Sequence, residues 1–442
     1  MLDRGWFLSE ITFLYIFLGD FFMNSVEFSE LRYGMFVHFG VFSLLARGEW
    51  VMNREQISPA EMEFIAKGFK PAKFNADEIC DLAVAGGMKY IVFTTMHHEG
   101  FRMYRTDLTK FNAWDYCGRD FVREIIDSAR SRGLKIGLYH SLNNWHDAPD
   151  AVDALENPEK YEVFIKHTFD RLQELARRYA PFDIVWYDGW WPFNADGWQG
   201  EKMNQMLREI NPGFLFNGRN CLPGDFGTPE QHLTPPSPWR PWEACVTLNN
   251  HWGYYEGDED WKSPKDVIDM LLSCGSKRGN LLLNIGPRGD GSIPEKSAEI
   301  VKTVGQWLRE GGWDAINAAD ELSLTPTQPA PGERGDWDPH GRITASGNTL
   351  YYTVMYPLKK LTIAGFVGKI RRITASGIGE LKFVQNESKV TIEIPEVLRG
   401  RFCPVLKFEC DCPPGIYRTG GMRVPECDHP RYDPILPDIQ YE

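Results

Sequence analysis

Between about residues 30 and 315, short β-branched or aromatic runs alternate with helical patterns, as in consecutive βα units built on a parallel sheet. Seven strands are predicted, at 34–39, 90–96, 135–140, 182–188, 214–219, 243–248 and 281–285. Helices are predicted over 75–85, 119–132, 157–179, 264–277 and 294–309; in the first of these Ala76, Ile79, Leu82 and Ala83 share one face. A doubly wound nucleotide binder would carry a Gly-rich turn after its first strand, and none follows Phe39. Each strand ends instead in an aromatic or ionisable residue, as barrel strands do at their catalytic face. The fold class is therefore α/β: a (β/α)8-type barrel, irregular if only seven strands build it, followed by a smaller antiparallel β-sandwich.

The sandwich is read from a change of period. After a Pro-rich stretch that includes Pro326, Pro329, Pro331 and Pro339, Val390, Ile392 and Ile394 alternate with Thr391 and Glu393. The hexapeptide RITASG occurs at 342–347 and again at 372–377, which suggests two similar strand-and-turn units rather than a solenoid. The expected organisation is a barrel over 23–320, a linker over 321–341, a sandwich over 342–412 and an irregular tail over 413–442. The sandwich is expected to stabilise the barrel, with carbohydrate binding as the other role open to it.

Ile11 to Leu18 is an apolar run too short to span a bilayer. Asp3, Glu10 and Asp20, and the lack of a small-residue cleavage site before Met23, argue against a secretory signal. Residues 1–22 are read as a start-site extension or a weak signal-like segment, with translation beginning at Met23. A cytoplasmic location is expected, and secretion only if that segment acts as a signal.

Composition narrows the ligand. With 48 Lys and Arg against 61 Asp and Glu, the formal charge is −13 and no block of like charge stands out, which disfavours nucleic acid and anionic membranes as partners. The 15 tryptophans exceed ordinary usage and call for a ligand with flat apolar faces. Nine cysteines, spread widely and odd in number, read as mostly reduced. Cys403, Cys410, Cys412 and Cys427 lack the paired spacing of a zinc knuckle. Oligomeric state is left open.

In the segment FDIVWYDG, Ile184, Trp186 and Asp188 share one face of a strand while Val185 and Tyr187 share the other. Asp188 is thereby carried to the strand's C-terminal end, above Trp186, where a carboxylate can serve as nucleophile or base. Other strand ends carry His38, His97 and His98, Tyr139 and His140, and Arg219. No H-x-H occurs, so a metal-dependent barrel hydrolase is the weaker reading of these histidines. Imidazoles, a phenol and a guanidinium around a carboxylate suit a ligand rich in hydroxyls, and Trp50, Trp186 and Trp252 offer walls for the C–H faces of a sugar. Glycoside cleavage needs a second carboxyl group, for which Glu49, Glu230, Glu243 and Glu256 are candidates. A non-catalytic glycan-binding barrel is the alternative from another class.

The segments YGMFVHFGVFSLLARGEW, FNADEICDLAVAGGMKYIVFTTMHHEGF, GLKIGLYHS, FDIVWYDG, WEACVTLNNHWGYY and GNLLLNIGPRGDG, in this order, resemble the family-29 α-L-fucosidases. The resemblance runs from about Leu31 to Gly312, and more weakly through the sandwich. It implies a retaining exo-glycosidase without metal or cofactor, acting on terminal α-L-fucosides of a glycan or oligosaccharide through a covalent fucosyl-aspartate. Asp188 matches the family's nucleophile. His38, Glu49, Trp50, His97, His98, Tyr139, Trp186 and Arg219 match its sugar-contacting residues. Glu230, on a variable loop, matches the acid/base, with Glu243 as its alternative. Where the family commonly reads H-H-D-G-F, this chain has Glu99 after the two histidines.

Overall fold

The computed structural model describes residues 23–318, 341–356 and 358–416. Residues 1–22, residues 321–340 of the expected linker, and the tail from 417 with its Cys427 lie outside the described residues. The chain forms two compact units, one made of the residues up to Trp261 with Asn280–Glu299, the other of Lys262–Gly279 with the chain from Ile300 onward. The expected barrel segment, read as continuous, is thus interrupted: the helix Pro264–Ser276 belongs to the second unit, where Arg342 binds Asp269. In that unit Gly275 leaves the space that lets the Ile316 backbone close on the helix.

The first unit is built on seven parallel strands: β1 (Tyr33–Val37), β2 (Tyr90–Met96), β3 (Lys135–Ser141), β4 (Ile184–Asp188), β5 (Leu215–Phe216), β6 (Glu243–Val246) and β7 (Asn280–Ile285). Their order is β5-β4-β3-β2-β1-β7-β6. The fifth strand is far shorter than its apolar run suggested, because Asn217 turns to bond the Tyr187 backbone of β4 through both N–H (3.0 Å) and C=O (2.9 Å). The two edge strands are joined by the stretch from Phe226 to Glu230, which makes single parallel bridges, Asn217 with Phe226, Gly227 with Trp242, and Glu230 with Cys245. Proline at 229 removes one N–H donor there, so a full ladder cannot form. This irregular stretch takes the eighth barrel position, for which the apolar pattern offered no strand.

Helices begin where short polar side chains cap them. Asn75 caps Ala76–Ala85, Asp120 caps Phe121–Ser131 and Asn157 caps Pro158–Tyr179, with Pro158 in the first turn. The interior of the barrel is filled by inward-facing residues, among them Phe36, Tyr90, Val92, Tyr139, Ile184, Trp186, Leu215, Phe226 and Leu282. Burying each large side chain is worth about 1.5–3 kcal/mol. The helix Ser25–Glu30, held by a capping box of Asn24 and Glu27, sets Phe28 against the Phe226 ring at 4.4 Å and the Tyr90 ring at 5.9 Å. That helix stops the N-terminal end of the barrel. No helix among the described residues is long and apolar enough to cross a membrane.

The second unit has a five-stranded and a three-stranded antiparallel sheet, packed around a core that includes Leu350, Tyr352, Ile373, Ile392 and Phe408. Both RITASG copies are strands of the five-stranded sheet, Gly341–Ser346 and Ile370–Ala375. Each is followed by a glycine in the left-handed region, Gly347 (φ 54°) and Gly377 (φ 67°). The tail's first residues are not irregular, since Gly415–Ile416 pairs with Phe366–Val367.

One acid stands inside the barrel. Glu243, the first residue of β6, is fully buried and accepts hydrogen bonds from Tyr90 Oη (2.5 Å) and Trp186 Nε1 (2.6 Å). Gly34 is the register partner of Tyr90, and a Cβ there would run into the Tyr90 ring that reaches this acid. Burial pushes the Glu243 carboxyl up to about 7, against the two hydrogen bonds that favour its charge. The folded protein therefore keeps this proton where the unfolded chain, titrating near 4.3, has lost it. Stability conferred by the protonated form is full below that value and falls as pH rises to about 7, by on the order of 3 kcal/mol in all. Glu243→Gln is expected to flatten this dependence: relative to wild type, its denaturant midpoint should improve between pH 5 and pH 8. Parallel midpoint-against-pH curves for the two proteins would contradict a proton held by Glu243.

Candidate active site

Asp188 ends β4 facing into the barrel, as its alternation with Trp186 and Ile184 requires. Its Oδ2 accepts from Tyr139 Oη at 2.8 Å and its Oδ1 from Arg219 Nη1 at 2.8 Å. Burial alone would raise its pKa, but the charge of Arg219 and these hydrogen bonds outweigh it and hold the carboxyl well below its usual range. The chain can reverse immediately afterwards because Gly189 has φ 68°, and a Cβ there would lie 2.7 Å from Ser141 Oγ.

Arg219 also reaches a second acid. Its Nη2 donates to Glu230 Oε2 at 2.7 Å, and Trp252 Nε1 donates to Glu230 Oε1 at 3.2 Å. One planar guanidinium thus spans the two carboxylates, with its carbon 4.8 Å from the Trp186 ring centroid and 5.1 Å from that of Trp190. Glu230 stands in the irregular segment at the eighth position, where Gln231 N donates to Cys245 O (3.0 Å) and Cys245 N to Pro229 O (3.1 Å). The Glu230 side chain is 40% exposed and that of Asp188 12%, so only the former is open to solvent at the barrel mouth.

The histidines divide. Consecutive His97 and His98 would point to opposite faces of a continuing strand, but β2 ends at Met96 after a register shift between Thr94 and Met96. Such a bulge re-aims the residues beyond it, and both imidazoles face the cavity with ring centroids 4.0 Å apart. His98 Nδ1 lies 2.6 Å from Ser141 Oγ and its Nε2 3.8 Å from Asp188 Oδ2. His38 Nδ1 lies 2.7 Å from Asn284 Oδ1; since that amide oxygen only accepts, the proton sits on Nδ1 and Nε2 is left with a lone pair. Burial first, and then His97, bring His38 down to about 3 and His98 well below its usual range, so both rings are neutral. His97 stacks on Tyr139 at 5.7 Å and 7°. His140 faces outward, its Nδ1 at 2.9 Å from Thr95 Oγ1, and takes no part in the site.

These groups line a cavity of about 110 Å³ with Trp50, Trp186 and Trp252. That is well below the roughly 300–1,000 Å³ of pockets for drug-sized ligands and suits a single sugar ring. Three of the four candidate acids stand outside the lining, among them Glu256, which is exposed. Glu49 is buried behind Trp252, accepting from the backbone N–H of Trp252 (3.2 Å) and Gly253 (2.8 Å), so it holds the Trp252 turn rather than facing the cavity. Glu243 lies beneath Trp186, whose indole N–H it accepts, and does not line the cavity. Phe36, Trp190, Trp191 and Cys245 line the cavity without having been expected there. Phe36 and Cys245 could have been found by alternation, two residues before His38 and two after Glu243. Nothing local marks Trp190 and Trp191 beyond their place after Gly189. Among the described residues, no group of three or more His, Cys, Asp or Glu is arranged to hold a metal ion.

Comparison with known proteins agrees with this geometry. Residues 23–312 match the family model described as alpha-L-fucosidase. The plasma alpha-L-fucosidase of Homo sapiens is 31% identical over 321 residues, covering 64% of this chain and 68% of that protein. The tissue alpha-L-fucosidase of Rattus norvegicus is 32% identical over 325 residues, covering 66% and 69%. Among solved structures, alpha-L-fucosidase isoenzyme 1 from Paenibacillus thiaminolyticus superposes with a TM-score of 0.75 at 30% identity, covering 88% of this chain and 100% of that one. With a family model matched over most of the chain, and a barrel mouth that gathers two carboxyl groups, neutral imidazoles and indole walls, this protein belongs to the alpha-L-fucosidase family.

Proposed function

We propose that this enzyme hydrolyses terminal α-L-fucosides with retention of configuration, Asp188 acting as nucleophile and Glu230 as acid/base. The observation that carries the reading is the shared guanidinium of Arg219. Its bonds to both carboxylates suit a separation near the roughly 5–5.5 Å of retaining glycosidases, too narrow for a water between them. Asp188, held as a carboxylate, attacks the anomeric carbon while the glycosidic C–O bond breaks and protonated Glu230 gives its proton to the departing oxygen. Asp188 is then a neutral ester, and Arg219 remains to hold Glu230 as the carboxylate. That carboxylate takes a proton from water as the water's oxygen attacks the anomeric carbon and the ester bond breaks.

The surroundings support this division. Asp188 is shielded and Glu230 partly open, which places attack inside the cavity and leaving-group exchange at its mouth. His38 Nε2 is free to accept from a sugar hydroxyl, and the indole of Trp186 forms the floor. Phe36, 5.0 Å from the Trp186 ring and 5.7 Å from that of Trp252, offers a carbon surface for the C6 methyl group of fucose. The small closed cavity favours a chain-terminal sugar, hence exo action.

Removing the nucleophile in Asp188→Gly should lower kcat on an aryl α-L-fucoside by a factor on the order of 10⁴ or more. Azide, entering the space that Asp188 leaves, should then give the inverted product, β-L-fucosyl azide, from an activated aryl α-L-fucoside. Full activity in this variant would place the nucleophile elsewhere. For Glu230→Ala, the loss should be on the order of 10²–10⁴ for a poor leaving group and much smaller for an activated aryl group, with azide restoring turnover as the α-L-fucosyl azide. Equal losses on both leaving groups would remove Glu230 from the acid role. An aryl α-L-galactopyranoside, which adds one hydroxyl at C6, should have kcat/KM about 10- to 100-fold below that of the fucoside. Comparable values would show that Phe36 does not receive the methyl group.

A further inference from the structure

The indoles that follow Asp188 are placed for more than the sugar being cleaved. Trp190 lines the cavity yet is 38% exposed, whereas Trp186 on its floor is 1% exposed. Behind it Trp191 lies edge-on at 5.5 Å and 82°, and Trp191 in turn stacks on Trp50 at 5.5 Å and 19°. The backbone is anchored on both sides: Trp190 O accepts from Trp198 Nε1 (2.5 Å) and Trp191 O from Asn143 Nδ2 (3.1 Å). The exposed indole is thus carried on an anchored main chain and is backed by the Trp191 ring.

Its position relative to the chemistry is set by Arg219, whose guanidinium carbon is 5.1 Å from the Trp190 centroid and whose Nη2 binds Glu230. Trp190 and Glu230 thus flank one guanidinium at the cavity mouth. On the mechanism above, Glu230 must stand beside the oxygen that leaves, so whatever that oxygen is attached to emerges next to Trp190. We propose that Trp190 forms the subsite for the leaving group, stacking on the apolar C–H face of the uncharged pyranose to which the fucose is joined. A flat ring gains from an indole face what a small alkyl alcohol or a serine hydroxyl cannot. An uncharged partner agrees with a chain of formal charge −13. This inference rests on the assignment of Glu230 as the acid/base.

The test compares two substrates: an α-L-fucosyl hexose disaccharide, which fills the proposed subsite, and α-L-fucosyl fluoride, which leaves it empty. Wild-type turnover of the fluoride checks the fucosidase reading by itself. In Trp190→Ala, the ratio of kcat/KM for disaccharide over fluoride should fall about 2- to 10-fold, the loss of one stacking contact, and should appear mainly in KM for the disaccharide. Trp190→Phe, which keeps an aromatic face, should recover most of that ratio. An unchanged ratio in Trp190→Ala would overturn the proposal, whether because neither substrate is affected or because both fall together. The second of these would show that Trp190 only supports Arg219.

Discussion

A single guanidinium between two carboxylates organises this molecule's catalytic face. Arg219 is buried, and an unpaired buried cation would cost several kcal/mol; it is tolerated because Asp188 and Glu230 each take a hydrogen bond and two indole faces flank it. The demand is mutual. Without Arg219, burial would drive Asp188 towards its protonated form, and Glu230 would have only Trp252 to orient it. Its aim depends on Asn217, which locks the turn after β5 to the backbone of Tyr187. A strand of two residues is enough to aim Arg219 because a side-chain amide continues its pairing.

Beside that charged centre stand two neutral imidazoles. His38 and His98 are kept uncharged by burial and oriented by Asn284 and Ser141, so they present fixed donors and acceptors without competing for Asp188. Aromatic rings fill the space between. Tyr139 stacks between His97 and Trp186, and Phe36 meets His38, Trp186 and Trp252. The site's rigidity comes from this packing, since each ring loses little entropy and fills much volume. Glu243 extends the same logic downward. By accepting from Trp186 and Tyr90, it fixes the floor indole from beneath, and the missing side chain of Gly34 makes room for Tyr90 to do so.

Much of this was legible in the chain. The alternation of Ile184, Trp186 and Asp188 is a local property of extended backbone, and it placed Asp188 on the inner face at a strand end without any knowledge of neighbours. The same holds for His38, Tyr139 and Trp186, all of which line the cavity. Helix boundaries followed from caps at Asn75 and Asn157, again local. Alternation failed at His97 and His98, because a bulge is a mismatch with β3 that β2 cannot announce alone.

The patterns of period and capping residues were sufficient for the α/β order, the inward face of each long strand and the polar strand ends, because those depend on interactions within a few residues. They could not separate Glu230 from Glu243 or Glu49, since all three are acids on or near a strand. That distinction came from which end of the barrel each acid occupies and what it bonds: Arg219 and solvent for Glu230, Tyr90 and Trp186 for Glu243, a backbone turn for Glu49. The eighth barrel position and the placing of the two indoles after Gly189 were equally invisible, because the first arises from isolated bridges with both edge strands and the second from the Asn143 and Trp198 side chains that bond the Trp191 and Trp190 carbonyls. Tertiary pairing decided them, for a carboxylate's role depends on its surroundings, and those are assembled only when the sheet curls.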